Sequence, residues 1–246
     1  MIYLRSSLFN VVWMVWSLLM AATVPINLLF HRGDDGRFVR RVSRVWSRGT
    51  TWLLASICGL HYRVEGREHL PDGPAFLACK HQSAFETFVM NAVVPDLCII
   101  YKRELDAIPL FGWFLRRSRM VSVERGGGAS ALRDMLERAK AEASKGRCVL
   151  IFPEGTRVAV GERGVAHAGL IALVRSLKLP VVPVTLNSGL YWPRKSLLRY
   201  PGEVIIRFMP AIEDVERFGR KDMEALVETI SAESDLLCGI DRPGDA

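Results

Sequence analysis

The sequence AFLACKHQSAFETFVMNAVV, residues 75–94, decides the fold prediction. AFLAC is a short apolar run that predicts a buried strand, and the apolar residues after position 85 belong to a helix that follows a turn. Between them lies a polar group. Its members are Lys80, His81, Gln82, Ser83 and Glu86. Polar groups next to buried segments destabilise a protein by roughly a few kcal/mol each unless they find hydrogen-bond partners. The turn is therefore either a satisfied structural corner or a functional site.

Short apolar runs and helical segments alternate through the chain after residue 61. The apolar runs predict buried strands, and the segments with helical periodicity predict helices that cover a sheet. We therefore expect an α/β fold with a mixed, largely parallel sheet flanked by helices. The predicted strands lie near residues 62–66, 74–79, 97–101, 120–125, 147–152, 180–187 and 203–209, and the predicted helices lie near 130–144, 169–178 and 221–237.

Residues 6–30 contain no charged side chain. As a helix this stretch is roughly 35 Å long at ~1.5 Å per residue, which is enough to cross a bilayer core of about 30 Å. Pro25 and Asn27 weaken its last third, so a kinked, partly inserted helix is the alternative to a spanning one. The apolar run is longer than that of a cleaved signal peptide. We expect a transmembrane or deeply inserted helix, with Trp13 and Trp16 as interfacial anchors.

A basic helix is predicted over about residues 37–58, because arginines recur there at helical spacing beside Trp and Val. They are Arg37, Arg40, Arg41, Arg44 and Arg48, with no acidic residue among them. Such a helix is typical of the lipid headgroup layer, and a solvated face of a core helix is the alternative. We expect residues 1–60 to be membrane-anchoring helices and residues 61–246 to be the α/β domain. The arginines that follow the apolar run favour a cytoplasmic position for that domain.

The composition of the chain indicates that it binds an anionic partner. The chain of 246 residues is 50% hydrophobic and carries a net charge of +7, with a pI near 9.4 and a mean hydropathy of +0.16. Nucleic acid, an anionic membrane surface and a phosphorylated substrate all fit this charge. The basic helix and the lack of a basic-aromatic nucleic-acid motif favour the membrane. The five cysteines have no metal-site or redox spacing, so we expect buried, reduced thiols.

Polar clusters follow four of the predicted strands. KHQSAFE follows AFLAC, KREL follows LCIIY, PEGTR follows CVLIF, and NSG follows VVPVTL. Function in such sheets usually gathers where loops leave the strand ends. The four loops are therefore expected to converge on one cleft.

His81 and Glu86 form the chemically most specific pair in these loops. A histidine is the usual general base near neutral pH, and a carboxylate can fix its tautomer and stabilise the imidazolium. In a continuous helix the two side chains would point about 140° apart at ~3.6 residues per turn, so the pair needs a turn. Ser83 suits a helix cap better than a nucleophile. Without a nucleophile nearby, the histidine would activate a substrate hydroxyl directly, and a satisfied non-catalytic histidine is the alternative.

Two further clusters suit an anionic ligand. Arg157 can bind phosphate through two hydrogen bonds, Thr156 adds a hydroxyl donor, and Gly155 permits close approach to the backbone. Lys102 and Arg103 precede an apolar, proline-containing segment, which suits a headgroup beside an acyl chain. An ordinary charged turn and a surface helix are the alternatives. The nucleotide-binding, dinucleotide-binding and zinc-protease motifs GxxxxGK[ST], GxGxxG and HExxH do not occur, and we expect no metal or cofactor.

Taken together, KHQSAFE, KREL…IPLFGW, FPEGTR and VVPVTLNSG resemble the four ordered sequence blocks of the glycerolipid acyltransferases. The similarity is greatest to bacterial 1-acylglycerol-3-phosphate acyltransferases and spans residues 64–208, and the N-terminal helices also look like those of that family. The resemblance implies a glycerolipid acyltransferase-like fold in the bacterial inner membrane with its site on the cytoplasmic side. It also implies acyl transfer from acyl-CoA or acyl-carrier protein, as co-substrate, to a lysophospholipid, without an acyl-enzyme intermediate.

The resemblance also implies roles for matching positions. His81 would be the general base and Glu86 its partner, whereas Val182 and Pro183 would line an acyl channel. The residues expected to hold the phosphate-bearing headgroup are Lys102, Arg103, Glu154, Gly155, Thr156 and Arg157. The family's first block usually ends in aspartate, so the additional methylene of Glu86 requires a different geometry for the pair and leaves room for another lysolipid acceptor.

Two alternatives stay open at this point. One keeps the chemistry and changes the acceptor to another lysophospholipid or a lyso-aminolipid. The other is a peripheral membrane module that binds anionic lipid without turnover, which would explain the basic helix but not the four polar loops. Of the remaining histidines, we expect His167 to lie outside the chemistry, and His31, His61 and His69 lack a catalytic context.

Overall fold

The computed structural model describes residues 1–31, 33–124, 126–165 and 169–240. The chain begins with α1 (Ile2–Ala21), α2 (Val24–Phe30) and α3 (Arg37–Leu53), and a π-helical turn (Leu54–Cys58) follows α3. The remaining helices are α4 (Phe85–Val93), α5 (Phe111–Arg117), α6 (Gly128–Ala143), α7 (Gly169–Leu177), α8 (Ser188–Tyr191) and α9 (Arg220–Leu237). The predicted helix over residues 6–30 thus starts earlier and is divided at Ala22 and Thr23, with Pro25 in the first turn of α2, where its missing N–H is not needed.

Within the described residues, seven strands form one sheet in the order β1-β7-β6-β2-β5-β3-β4. The strands are β1 (Leu60–Glu65), β2 (Phe76–Cys79), β3 (Cys98–Lys102), β4 (Val121–Val123), β5 (Val149–Ile151), β6 (Val181–Leu186) and β7 (Gly202–Phe208). All neighbouring strands are parallel except β6 and β7. The predicted mixed, largely parallel sheet with flanking helices is therefore confirmed. Strands β2 to β6 end at one edge of the sheet, called here the carboxyl edge.

Each face of the sheet packs against its own helices. Side chains of β2 alternate, so Leu77 and Cys79 join the core beneath α1, α3 and α4, whereas Phe76 and Ala78 join the core beneath α6, α7 and α9. All four side chains are fully buried. The loops that leave the carboxyl edge are thus supported on both sides by closely packed helices.

The N-terminal helices differ in part from the sequence prediction. Trp13 and Trp16 face α3 and not the outside, because Trp13 Nε1 donates to Thr50 Oγ1 (3.2 Å) and Trp16 Nε1 donates to the carbonyl of Trp46 (3.1 Å). Arg40 of the basic helix pairs with a carboxylate from outside α3, since its Nε lies 2.5 Å from Asp96 Oδ1. The stretch Ile2–Phe30 is, among the described residues, the only helical segment long and apolar enough to cross a membrane by length and composition.

Candidate active site

His81 lies in the turn between β2 and α4, and its ring contacts the carboxylate of Glu86. The distance from His81 Nδ1 to Glu86 Oε1 is 3.3 Å, and the side chains are 13% and 0% exposed. The turn that the sequence requires for this pair is present, because β2 ends at Cys79 and α4 begins only at Phe85. Ser83 Oγ accepts the N–H of Phe85 at 3.2 Å at the start of α4, in the manner of a cap.

The carboxylate of Glu86 is fixed from three further directions. Its Oε1 accepts the backbone N–H groups of Gln82 (2.5 Å) and Ser83 (2.7 Å), and its Oε2 accepts the hydroxyl of Ser188 at 2.9 Å. Ser188 is the first residue of α8, directly after β6 and Asn187. The additional methylene of glutamate is thus accommodated by anchoring one oxygen on the turn and the other on the neighbouring loop.

The imidazole ring is held flat against Phe152, with ring centroids 3.9 Å apart and an interplanar angle of 17°. With Nδ1 donating to the carboxylate, Nε2 keeps its lone pair and is the nitrogen that can accept a proton. A ring that is stacked on one face and hydrogen-bonded at one nitrogen has little freedom to rotate. Such an arrangement would suit a general base, because the orientation of the ring is set before a substrate arrives.

A buried ion pair joins the first and third polar loops. Lys80 Nζ contacts Glu154 Oε1 directly and donates to Ser231 Oγ of α9 at 3.2 Å, while Glu154 Oε2 accepts the backbone N–H of His81 at 3.0 Å. The side chains of Lys80 and Glu154 are both only 2% exposed. The position of Glu154 therefore differs from the sequence expectation: its carboxylate is used inside the protein to place His81 and does not face a headgroup.

Gln82 connects the same corner to two other elements. Its Nε2 donates to Ser234 Oγ of α9 at 2.9 Å, and its Oε1 accepts the N–H of Gly189 in α8 at 3.2 Å. Sequence reasoning missed Lys80, Gln82 and Ser188 as parts of the site. The polar NSG cluster after β6 could have pointed to Ser188. No sequence pattern pointed to the α9 serines, Ser231 and Ser234.

The outer end of this loop consists of Gly155, Thr156 and Arg157. Gly155 has φ 63°, a left-handed conformation that favours glycine, and its N–H donates to the carbonyl of Phe152 at 2.9 Å. Thr156 and Arg157 are exposed, and the backbone carbonyl of Arg157 accepts Arg194 Nη1 at 2.9 Å. Within the described part of the chain, no carboxylate forms an ion pair with the guanidinium of Arg157.

Lys102, the last residue of β3, and Arg103, which follows it, lie at the carboxyl edge. Among the described residues, no hydrogen bond joins their side chains to the His81 corner. Lys102 Nζ pairs with Glu104 at 2.9 Å, and Arg103 Nη1 pairs with Glu124 at 2.5 Å. The lysine and arginine side chains are 45% and 63% exposed. The loop after β3 is therefore a peripheral part of the candidate site.

Val182 and Pro183 do not line one channel together. Neighbouring residues on a strand face opposite sides of the sheet. Val182 packs in the core beneath α1, α3 and α4, whereas Pro183 lines a cavity of about 750 Å³ between β7 and α9. The two side chains therefore lie on opposite faces of the sheet, which does not agree with the expected shared acyl channel.

Two further expectations concerned His167 and a metal site. His167 lies outside the described residues. Among the residues that are described, no three His, Cys, Asp or Glu side chains come together closely enough to hold a metal ion. The corner itself contains a histidine–carboxylate pair, and exposed cationic residues lie on the loops after β3 and β5.

Known proteins match this chain over most of its length. Residues 61–187 match a family model described as Acyltransferase. The 1-acyl-sn-glycerol-3-phosphate acyltransferase of Pseudomonas aeruginosa is 34% identical over 210 residues, which are 85% of this chain and 78% of that protein. The lyso-ornithine lipid O-acyltransferase of the same organism is 30% identical over 147 residues, 59% of this chain and 56% of that protein.

The fold is also found in a solved structure. The crystal structure of the 1-acyl-sn-glycerophosphate (LPA) acyltransferase from Thermotoga maritima superimposes with a TM-score of 0.77 at 20% identity, and the match covers 99% of this chain and 100% of that one. At this identity the match speaks for the fold, while the family model and the Pseudomonas aeruginosa relative speak for the family. The chain belongs to the acyltransferase family.

Proposed function

We propose that this protein is a membrane-associated O-acyltransferase that moves a fatty acyl group from a thioester to the free sn-2 hydroxyl of lysophosphatidic acid, giving phosphatidic acid. The observation that carries the proposal is the fixed His81–Glu86 pair, whose Nε2 is left to accept a proton. The loop that carries Arg157 adjoins this pair, because the N–H of Val158 donates to the carbonyl of His81 at 2.8 Å. Arg157 itself forms no ion pair among the described residues.

The transfer needs no acyl-enzyme intermediate. His81 Nε2 takes the proton of the acceptor hydroxyl as its oxygen attacks the thioester carbonyl. The carbon–sulfur bond then breaks, and the imidazolium returns its proton to the leaving thiolate. Glu86 stabilises the imidazolium while it exists. The thiol of Cys79, directly before Lys80 and His81, is fully buried, and burial raises its pKa well above the ordinary value, so it stays protonated and does not act as the nucleophile.

The phosphate of the acceptor binds at the exposed cations. Arg157 and Thr156 are the first contacts, since a guanidinium and a hydroxyl match phosphate oxygens, and the turn at Gly155 brings the backbone close. Lys102 and Arg103 add a second positive region. Their present ion pairs are solvent-exposed, and such pairs contribute only about 0–1 kcal/mol, so a phosphate can replace the carboxylates.

Residues 1–60 hold the enzyme at the membrane, and residues 61–246 form the catalytic domain. Helices α1 and α2 expose large apolar side chains along their length, for example Leu18 and Leu29, which are 59% and 73% exposed. The exposed arginines of α3 suit anionic headgroups. We place the protein at the bacterial inner membrane with the carboxyl edge on the cytoplasmic side, where acyl-CoA and acyl-carrier protein are available as co-substrates.

A lyso-aminolipid acceptor is the second candidate, because one relative is named a lyso-ornithine lipid O-acyltransferase. That acceptor carries an amine and a carboxylate instead of a phosphate. The three exposed cations Lys102, Arg103 and Arg157 favour a doubly charged phosphate over a headgroup that carries both an ammonium and a carboxylate.

The test is acyl transfer by the purified full-length chain in detergent, with a panel of lysolipids that includes lysophosphatidic acid, lysophosphatidylethanolamine and lyso-ornithine lipid. Acyl-CoA and acyl-carrier protein thioesters are supplied in separate reactions. We expect phosphatidic acid as the main product. Acylation of lyso-ornithine lipid alone would favour the second candidate, and lipid binding without transfer from either donor would refute the enzymatic proposal.

A further inference from the structure

The 193–200 loop, defined as residues 193–200 between α8 and β7, exposes an apolar side chain between charged ones. Leu197 is 73% exposed, and Tyr200 is 37% exposed. Arg194 and Lys195 precede them and are also exposed. Within the described residues, neither of these two cations forms an ion pair with a carboxylate. A single exposed leucine is ordinary on a protein surface. Whether Leu197 has a function therefore depends on where it lies relative to other elements.

The 193–200 loop is fastened to α1 through Arg199. The backbone N–H of Arg199 donates to Ser6 Oγ of α1 at 3.0 Å. Its guanidinium lies 4.6 Å from the ring centroid of Phe9 and 4.3 Å from that of Trp192, and its Nη1 donates to the carbonyl of Leu197 at 2.7 Å. The residue is only 4% exposed.

A buried cation at this place is costly, and its Nε is buried without a hydrogen-bond partner among the described residues. Burial lowers the pKa of Arg199, and no acidic side chain of the described residues pairs with it. The two aromatic faces compensate for lost hydration through cation–π contacts. The loop is therefore held in a defined position against the first turns of α1.

That position brings Leu197 near the first turns of α1. Around Ser6, α1 exposes Tyr3 (73%), Leu4 (72%) and Leu8 (51%). Leu197 is two residues from Arg199, the residue that contacts Ser6. Arg194 extends from the same loop to the backbone of Arg157 at the carboxyl edge.

We infer that the 193–200 loop is a second membrane contact, in which Leu197 enters the acyl-chain region while Arg194 and Lys195 meet anionic headgroups. This inference rests on the membrane association in the proposed function. The attachment of the loop to the first turns of α1 and the adjacent exposed cations indicate that the occupant is an anionic bilayer. The contact keeps the carboxyl edge at the membrane surface, where a lysolipid enters from the side.

Photo-crosslinking tests the inference directly and does not depend on turnover. A benzoylphenylalanine is placed at position 197, at position 11 of α1 or at position 236 of α9 in the full-length chain, which is bound to vesicles of phosphatidylcholine and radiolabelled phosphatidylglycerol. Val11 and Leu236 are 56% and 55% exposed, and α9 covers the sheet face opposite to α1. We expect lipid crosslinks at 197 and 11 but not at 236. Crosslinks at 11 without crosslinks at 197, or at neither, overturn the inference, as does crosslinking at 197 to added acyl-carrier protein in place of lipid.

A kinetic comparison measures the consequence. For Leu197→Glu we expect a roughly tenfold higher KM for a long-chain acceptor embedded in vesicles, because a charge replaces a side chain that enters the bilayer. The KM for a short-chain, monomeric acceptor stays unchanged and shows that the variant is folded. Leu236→Glu leaves both values unchanged. An equal rise of KM for both acceptors in Leu197→Glu contradicts a membrane contact.

Discussion

Two groups of charged residues share the carboxyl edge and differ in how they are held. The catalytic corner, defined as Lys80, His81, Glu86 and Glu154, is buried or nearly buried, and each side chain has a hydrogen-bond or ion-pair partner inside the protein. The cationic rim, defined as Lys102, Arg103 and Arg157, is exposed. Lys102 and Arg103 pair with exposed carboxylates. Arg157 forms no ion pair with a carboxylate among the described residues.

This difference suits the two groups to different tasks. The corner can hold groups in a fixed arrangement, and the rim can bind a substrate. In the corner, hydrogen bonds already hold the groups to which the proposed mechanism gives the reaction, so these side chains do not have to be ordered at the moment of transfer. In the rim, the cations are still hydrated and can exchange a weak partner for a phosphate. Changes in the corner should therefore alter the rate or the stability, and changes in the rim should alter mainly the affinity.

The largest effect is expected for His81→Ala. Loss of a positioned general base lowers acyl transfer by roughly 10²–10⁴-fold. The side chain is 13% exposed and contributes one hydrogen bond, so the variant should stay folded and membrane-associated. The measurement is kcat with lysophosphatidic acid, accompanied by vesicle flotation and circular dichroism as controls. Full activity in a folded His81→Ala variant would refute the mechanism.

The ion pair of the corner should determine stability more than any charge of the rim. Lys80→Met leaves the carboxylate of Glu154 buried without its cation, which is expected to cost about 3–5 kcal/mol in the free energy of unfolding. The double variant Lys80→Met/Glu154→Met removes both charges and should cost less than the single one. Urea unfolding in detergent measures both, and Lys102→Met is the matched rim control, for which no change is expected. Additive losses in the double variant would contradict a coupled pair.

Ser188→Ala tests whether the loop after β6 positions the corner. The hydroxyl is the donor to Glu86 Oε2 at 2.9 Å, and a hydrogen bond to a charged group contributes about 1.5–3 kcal/mol. We expect kcat to fall by roughly tenfold to a hundredfold, with KM for the acceptor unchanged, because the carboxylate loses one of its anchors while the rim is intact. Ser176→Ala in α7, which is remote from the corner, is the control. A change confined to KM would assign Ser188 to substrate binding instead.

The sequence predicted the parts of the corner that are close in the chain and missed those that are distant. His81 and Glu86 were recognisable because they are five positions apart in a turn between a strand and a helix. Glu154 was assigned to the headgroup, since the sequence does not show that Lys80 would lie opposite to it and neutralise it. The serines of α9 were not recognisable, because a small polar residue on an amphipathic helix carries no signal of what lies across the interface.

The fold was easier to predict than the acyl channel for a related reason. Short apolar runs between helices specify the strands through local periodicity, and parallel strands require crossover helices. Val182 and Pro183 were expected to line one channel because they lie together in the sequence. Strand geometry places them on opposite faces of the sheet, so adjacency in the chain was misleading there.

A smaller effect is expected in the rim. Arg157→Ala should raise KM for lysophosphatidic acid by about tenfold with kcat nearly unchanged, because a charge-assisted contact to the phosphate is lost without disturbing the corner. The free energy of unfolding should not change, since the guanidinium has no carboxylate partner among the described residues. Arg157→Lys should recover part of the affinity because lysine keeps the charge but not the paired hydrogen bonds. A drop in kcat alone would place Arg157 at the reacting atoms.

The smallest effect is expected from thiol alkylation, which tests whether the residues beside the corner are accessible to a reagent from solvent. Cys79 precedes Lys80 and His81, yet it is fully buried, and burial followed by the nearby charges of Glu86 and Glu154 raises the pKa of its thiol. The reactive species is the thiolate. Iodoacetamide at pH 8 should therefore leave acyl transfer unchanged, with Cys79 unmodified by mass spectrometry.

The same treatment distinguishes direct transfer from an acyl-cysteine route. An enzyme that passes the acyl group through Cys79 would expose and ionise this thiol during turnover, so alkylation in the presence of the thioester donor would inactivate it in parallel with modification of that residue. The reference for reagent reactivity is the urea-denatured protein, in which Cys79 is no longer buried and should be alkylated. Unmodified Cys79 with full activity during turnover is the result that agrees with proton abstraction by His81 and attack by the acceptor hydroxyl itself.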